Sequence, residues 1–458
     1  MDTTYLGSLA GVRSFYESGA TKSYSFREEQ LKKLKKALTD WESRLADALH
    51  KDFHKSEAET YATETGLLQA EISYTLKHLQ QWMRPQHVSP PMFLFRSSGV
   101  VLRDSLGVAL IIAPWNYPLL LLLSPLVGAI AGGNCAVLKP SELTPHTSHV
   151  IKQMMESIFD QSYICVIEGN GAEVVPQLIN NFRFDHIFFT GGTGIGKEVA
   201  VLAAKELVPV TLELGGKSPC IVDKDVDITV AAKRIVWGKF TNAGQTCVAP
   251  DYLLVHTNIK DKLIAEMKKA IDAFYGDSLL AEDYGRIINE KHYDKLVSFL
   301  QNGDIAYGGQ TKRDELYIAP SLLENVPIDA PVMQEEIFGP ILPIFNFTTH
   351  DEAIRIIEKN PNPLALYIFT KSADVEKKYT EDIRFGGGCV NNTLVHLADP
   401  KLPFGGVANS GMGAYHGRYS FDTFTRPKSI LKSNSWPDFK IKYPPYKGKI
   451  KFFKWLLK

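Results

Sequence analysis

The chain has 458 residues, 45% of them hydrophobic, which suffices for large cores and favours two or three domains over one. Lysine plus arginine balances aspartate plus glutamate at 51 each, so no global field favours nucleic acid and a small-molecule partner is the better expectation. The five cysteines are odd in number, widely separated and without a C-x-x-C pair, which argues against a disulfide framework or a metal site and fits a reducing cytoplasm.

The first fifteen residues include Asp2 and Arg13 and lack a continuous apolar core, so no export signal is predicted. Ser25 followed by Glu28 reads as a capping box opening a helix to about residue 50, and a second helix is predicted over 57–83. Both read as amphipathic covers without visible chemistry. Pro85, Pro90 and Pro91 break the pattern, and Val100-Val101-Leu102 suggests an extended arm. Residues 107–138 carry no charge, a length that would suit a membrane span. Pro114, Asn116, Pro118, Pro125 and Gly132-Gly133 interrupt the run, so a buried strand–helix–strand unit is the preferred reading.

Five apolar runs, at 108–113, 136–139, 163–167, 186–190 and 210–214, alternate with helical segments at 119–131, 145–159, 172–181 and 195–207. This spacing predicts an α/β fold with a doubly wound parallel sheet. Beyond Gly215 the alternation resumes, with strands near 219–222, 252–256, 342–345, 366–369 and 388–391 separated by helices, which reads as a second α/β domain.

Two stretches carry chemistry. Leu212-Glu213-Leu214-Gly215-Gly216-Lys217-Ser218-Pro219 sets a carboxylate at an apolar strand end, and Phe240-Thr241-Asn242-Ala243-Gly244-Gln245-Thr246-Cys247 sets a thiol beside a glycine turn. The glycines let another backbone or a substrate come close. A lone Cys is more often a small buried hydrophobe, and Cys135, Cys165, Cys220 and Cys389, in or beside predicted strands without such flanks, read that way. Burial around Glu213 disfavours its ionisation and moves it toward use as a base. Phe189-Thr190-Gly191-Gly192-Thr193-Gly194-Ile195-Gly196 lies between a strand and a helix, the context of a dinucleotide turn, though it is not G-x-G-x-x-G.

Together with Pro114-Trp115-Asn116-Tyr117-Pro118, Leu138-Lys139-Pro140-Ser141-Glu142 and Glu335-Glu336-Ile337-Phe338-Gly339-Pro340, these motifs resemble, in kind and order from Pro114 to Gly411, those of NAD(P)-dependent aldehyde dehydrogenases. The short segment before Asn116, Asp283-Tyr284-Gly285-Arg286 and Gly411-Met412-Gly413-Ala414-Tyr415-His416-Gly417 are similar to the class 3 type. The resemblance implies Cys247 as nucleophile, Glu213 as general base, and the Asn116 amide with the Cys247 N–H as oxyanion donors. It implies a cofactor turn at Gly191, Thr193 and Gly196, adenosine-ribose contacts from Lys139 and Glu142, and nicotinamide-ribose contact from Glu336 with Phe338 beside it. NAD is expected to be preferred and NADP accepted. Tyr117, Trp237, Thr246 and Phe404 are expected to line an apolar tunnel for medium or long aliphatic, or aromatic, aldehydes. The implied organisation is a cofactor domain from 1–82 and 104–212, a catalytic domain from 213–420, a bridging element from 83–103 and 421–432 that pairs across a homodimer, and a basic tail from 433–458.

In one respect the chain departs from the long members of the family. No carboxylate occurs between Gly405 and Tyr419, where those members carry a second possible base. A silent binding or crystallin-like protein, or a membrane-associated one with weak activity, is the alternative, yet such a protein would be expected to relax Cys247, Glu213 or Asn116. Set on a helix, Lys447, Lys451, Lys454 and Lys458 share one face of the tail, and Ile450, Phe452, Phe453, Trp455, Leu456 and Leu457 fill the other. Two placements stay open, docking on the protein's own body or its dimer partner, and peripheral membrane contact.

Overall fold

The computed structural model describes residues 4–457, and its layers follow from the alternation of buried strands and covering helices. The first sheet has six strands in the order Gly411–Met412, Val210–Leu214, His186–Gly191, Val108–Ile112, Cys135–Lys139 and Ile164–Val166. All neighbours are parallel except Gly411–Met412, which returns from far along the chain to pair antiparallel with Leu212 and Glu213. The uncharged stretch resolves into strand Val108–Ile112, helix Leu120–Gly132 and strand Cys135–Lys139, a buried crossover unit. Among the described residues no helix is long and apolar enough to cross a membrane.

The second sheet has seven strands, in the order Asp304–Tyr307, Ser321–Glu324, Ile341–Phe347, Tyr252–His256, Pro219–Val222, Ala365–Phe369 and Gly387–Val390. Its first two form an antiparallel pair that the sequence does not announce, because Asp304–Tyr307 is short, half exposed and lacks an apolar run. The arm is Ser97–Ser105, which pairs with Thr425–Ser433 over nine residues and on its other side with Gln86–Val88. Thr425–Ser433 is left as an exposed outer edge.

Three helix expectations need correction. The segment expected as one helix to about residue 50 is two, Tyr24–Asp40 and Glu42–Phe53, broken at Trp41 (φ −106°, ψ 4°). Its cap is Ser23 rather than Ser25, since Ser23 has extended backbone and its Oγ accepts the Phe26 N–H at 3.1 Å. The helix expected over 57–83 runs as Glu57–Thr60, a wide π turn Tyr61–Thr65, and Gly66–Trp82. From Lys447 onward the tail is helical only over Ile450–Leu456 among the described residues, so Lys447 lies in the preceding turn and Lys458 lies outside the described residues.

Candidate active site

The thiol loop is built by a helix that ends abruptly. Ile228–Phe240 opens on an Asp227 cap and stops at Thr241, after which Asn242, Ala243 and Gly244 all take left-handed φ of 53°, 52° and 74°. A side chain at Gly244 would strike the Gly339 carbonyl, so the glycine is what lets this loop meet the 335–340 segment. Gln245 is fully buried and fixes the turn, donating to the Asn242 and Arg286 carbonyls at 3.1 and 2.9 Å and accepting the Ile288 N–H at 3.0 Å. Cys247 emerges half-buried on the wall of a cavity.

Strand ends bring the other groups to it. Asn116, in the turn after Val108–Ile112, donates its amide to the Gln245 carbonyl at 3.0 Å, and Asn242 returns a bond to the Asn116 carbonyl at 2.9 Å. The Tyr117 hydroxyl lies 2.6 Å from the Thr246 Oγ1. Glu213, at the end of Val210–Leu214, is 3% exposed, and among the described residues neither carboxylate oxygen has a hydrogen-bond partner. Burial pushes its carboxyl well above the usual range. The Cys247 thiol is pushed up to about 12, first by burial and then by the Glu336 and Glu213 carboxylates, against backbone N–H groups of Cys247 and Val248 that favour the thiolate.

The cavity measures about 160 Å³, and its wall includes Tyr117, Trp237, Thr246, Cys247, Phe404 and Glu71. Trp237 is 40% exposed and stands at the mouth.

A cradle for a dinucleotide opens alongside. Helix Thr193–Ala204 begins at Gly192 without a side-chain cap, so its first N–H groups are free for an anion, and the space beside Gly192 and Gly194 is open. Gly196 packs directly on Leu214 and Gly191 on the Phe189 ring. The Thr193 Oγ1 donates to the Asn409 carbonyl at 3.3 Å. Lys139 is buried, with its Nζ on the Pro140 carbonyl and, at 3.2 Å, on Glu142. Gly215 leaves room for the Glu336 carboxylate, which burial raises to about 8. Phe338 (φ 54°) meets Trp115 edge to face at 5.3 Å. Glu335 faces solvent, paired with Lys295 at 2.7 Å.

Several residues that shape the site are given no role by the sequence motifs. Lys217 is buried against Asp251 and donates to the Val332 and Glu335 carbonyls, while Asp251 accepts the Ile337 N–H at 3.0 Å, which fixes the backbone on both sides of Glu336. Lys55 and Glu64 form a fully buried ion pair, and Glu59 accepts the Asn242 N–H at 2.7 Å. The helix expected to be a plain cover therefore grips the thiol loop and lines the cavity. The signal was a row of Lys and Glu at positions that a 3.6-residue period leaves ambiguous, because the π turn shifts the register between Glu59 and Glu64.

The aldehyde dehydrogenase family profile matches residues 13–430. The chain is 49% identical over 445 residues to the 4,4'-diaponeurosporen-aldehyde dehydrogenase of Staphylococcus aureus, covering 96% of each chain. It is 45% identical to aldehyde dehydrogenase family 3 member B1 of Rattus norvegicus, covering 96% of this chain and 94% of that one. With the dimeric NADP-preferring aldehyde dehydrogenase of the same species identity is 42%, covering 96% and 97%. The substrate-bound structure of Staphylococcus aureus AldH superposes with a TM-score of 0.96 at 48% identity over 99% of both chains. An indole-3-acetaldehyde dehydrogenase in complex with NAD+ gives 0.85 at 27% identity over 93% and 88%. The chain belongs to the aldehyde dehydrogenase family, in its class 3 branch. It is an NAD(P)-dependent oxidoreductase that converts aldehydes to carboxylic acids.

Proposed function

We propose that Cys247, once its thiol proton has passed to solvent, attacks the aldehyde carbonyl as the thiolate to give a thiohemiacetal, with the Asn116 amide and the Cys247 N–H holding the developing oxyanion. NAD(P), when bound, supplies the hydride acceptor. A thioester remains on Cys247, and Glu213 takes the proton of the water that hydrolyses it. The observation that carries this reading is the pairing of a half-buried Cys247 on the cavity wall with a buried Glu213 whose oxygens have no hydrogen-bond partner among the described residues. Desolvation makes Glu213 a stronger base than an exposed carboxylate, and once ionised its oxygens are placed to take a proton from water.

The uncapped 193–204 helix supports pyrophosphate binding by the Gly191–Gly196 turn, with Lys139 and Glu142 on the adenosine ribose and Glu336 and Phe338 at the nicotinamide end. The Glu142 carboxylate favours NAD, and the nearby Lys139 lets NADP be accepted. Tyr117, Trp237, Thr246 and Phe404 suit a medium or long aliphatic, or aromatic, aldehyde. We divide the chain as 1–82 with 104–212 for the cofactor, 213–420 for catalysis, and 83–103 with 421–432 as a bridge. The exposed edge Thr425–Ser433 supports a homodimer closed by pairing across it. In the tail, Trp455 and Leu457 stay about 70% and 67% exposed beside Lys451 and Lys454, which supports peripheral contact of a cytoplasmic enzyme with an anionic membrane surface.

An aldehyde panel with NAD and NADP, followed at the reduced-nicotinamide absorbance, tests the activity. Cys247→Ser should bind cofactor and make no acid, and near-normal turnover of that variant would sink the mechanism. For the tail, full-length protein should co-sediment with anionic vesicles at low salt and a chain ending at Tyr446 should not; equal behaviour of the two removes the membrane role.

A further inference from the structure

The cavity wall is largely apolar apart from Thr63, the groups beside Cys247 and one further polar corner. That corner is made by Glu71 from the Gly66–Trp82 helix, Ser124 from Leu120–Gly132, and His416 in the loop leading into the Gly417–Thr423 helix. The packing brings the three together. Glu71 Oε1 accepts the Gly417 N–H at 2.7 Å. Gly128 abuts Ser420, and Gly132 abuts Phe424, so the two helices run alongside each other and Ser124, one turn earlier, is level with His416.

Glu71 and Ser124 are shut away from bulk water, 7% and 2% exposed, while His416 is half-buried at the edge of the corner. The second Glu71 oxygen, the Ser124 hydroxyl and both His416 ring nitrogens have no hydrogen-bond partner among the described residues and line the cavity. His416 instead stacks on Phe404 at 5.3 Å and meets Tyr415 edge on. No lysine or arginine joins them on the cavity wall. Unpaired polar groups facing an otherwise apolar cavity offer hydrogen bonds to whatever enters it.

We propose that Glu71, Ser124 and His416 form a polar subsite for a hydroxyl group carried on the tail of the aldehyde, away from the reacting carbonyl. This rests on the reading of Cys247 as the reacting group in the same cavity. The hydroxyl donates to the free Glu71 oxygen and accepts from Ser124, with His416 closing the corner, which satisfies both ends of one O–H. Burial raises Glu71 to about 7 and lowers His416 to about 3, so near neutrality the corner holds an imidazole without charge and a carboxyl able to accept or donate. A plain hydrocarbon tail leaves the same groups unpaired, which is how a hydrogen-bonding pocket discriminates against the analogue that lacks the polar group.

The test is kcat/KM for a chain-length series of ω-hydroxyalkanals beside n-alkanals of equal length, measured on wild type, Ser124→Ala and Glu71→Leu. The hydroxylated-to-plain ratio cancels any loss common to both substrates, so damage to the fold alone does not move it. In wild type the ratio should peak at the chain length that reaches the corner, about tenfold above its value at short lengths, and each variant should flatten that peak. Ser124→Ala leaves the Glu71–Gly417 bond in place and keeps the test sound if Glu71→Leu does not fold. A wild type that oxidises n-alkanals with no peak, or a peak unchanged in Ser124→Ala, overturns the subsite and leaves the Cys247 assignment standing. A wild type that oxidises neither series removes both.

Discussion

Lys55 Nζ and Glu64 Oε1 meet at 2.6 Å with no solvent-accessible surface on either side chain. The other Glu64 oxygen accepts the Leu119 and Leu120 N–H groups at 2.9 and 3.1 Å, and Lys55 sits 4.2 Å from the centre of the Tyr117 ring. One pair thus anchors the start of the 120–132 helix and the tyrosine that bonds Thr246, next to Cys247. Lys55→Met should lower unfolding stability by about 3–5 kcal/mol, because it strands a buried carboxylate. The double variant Lys55→Met/Glu64→Gln, with no uncompensated charge, should recover part of the loss in urea titration. A Lys55→Met protein as stable as wild type would show that the pair bears no load.

The thiol environment predicts a pH dependence. With Cys247 held near 12, the thiolate fraction in cofactor-free enzyme rises about tenfold per pH unit through neutrality, and iodoacetamide labelling of this residue should rise with it. The Glu336 negative charge raises the thiol pKa, so Glu336→Gln should lower it and speed labelling. The gain should be clearest above about pH 8, where Glu336 is ionised. Labelling that is flat with pH would show a resting thiolate instead.

Asn116 holds the thiol loop through its amide on the Gln245 carbonyl, and in the proposed mechanism the same amide is an oxyanion donor. Asn116→Ala should reduce kcat by about 10²–10³, the usual effect of losing one oxyanion donor, while cofactor affinity by fluorescence titration stays near wild type. A kcat within a few-fold of wild type would assign the oxyanion to other donors.

Gly244→Ala combines a left-handed φ of 74° with a clash against the Gly339 carbonyl, so a marked fall in melting temperature is expected together with lost turnover. Gly194→Ala is the control. It meets open space in a helical position and should melt at or above the wild-type temperature.

Much of this was legible in the sequence, for physical reasons. Strands such as Val108–Ile112 and Tyr252–His256 are buried on both faces and so read as continuous apolar runs, and Gly244 marks its turn because no other residue fits. What the sequence hid depends on contacts between distant segments. Glu59, Glu64 and Glu71 look like the solvated face of a helix, and only the thiol loop, the 120–132 helix and the loop before the 417–423 helix packing against it engage them. The sequence offers no carboxylate from Gly405 to Tyr419, and the fold brings Glu71 to that loop from 346 residues away. Ser25 and Glu28 matched a capping pattern that Ser23 fulfils, a two-residue error inherent in overlapping serines.

The account turns on Cys247 carrying the acyl group and Glu213 removing it. Glu213→Gln, mixed with NAD and an alkanal and digested under mild acid, should give a burst of one NADH per active site with little steady-state turnover. The peptide containing Cys247 should then be heavier by the acyl group. An unmodified Cys247 peptide after a full burst, or the acyl group on another cysteine such as Cys389, would contradict it.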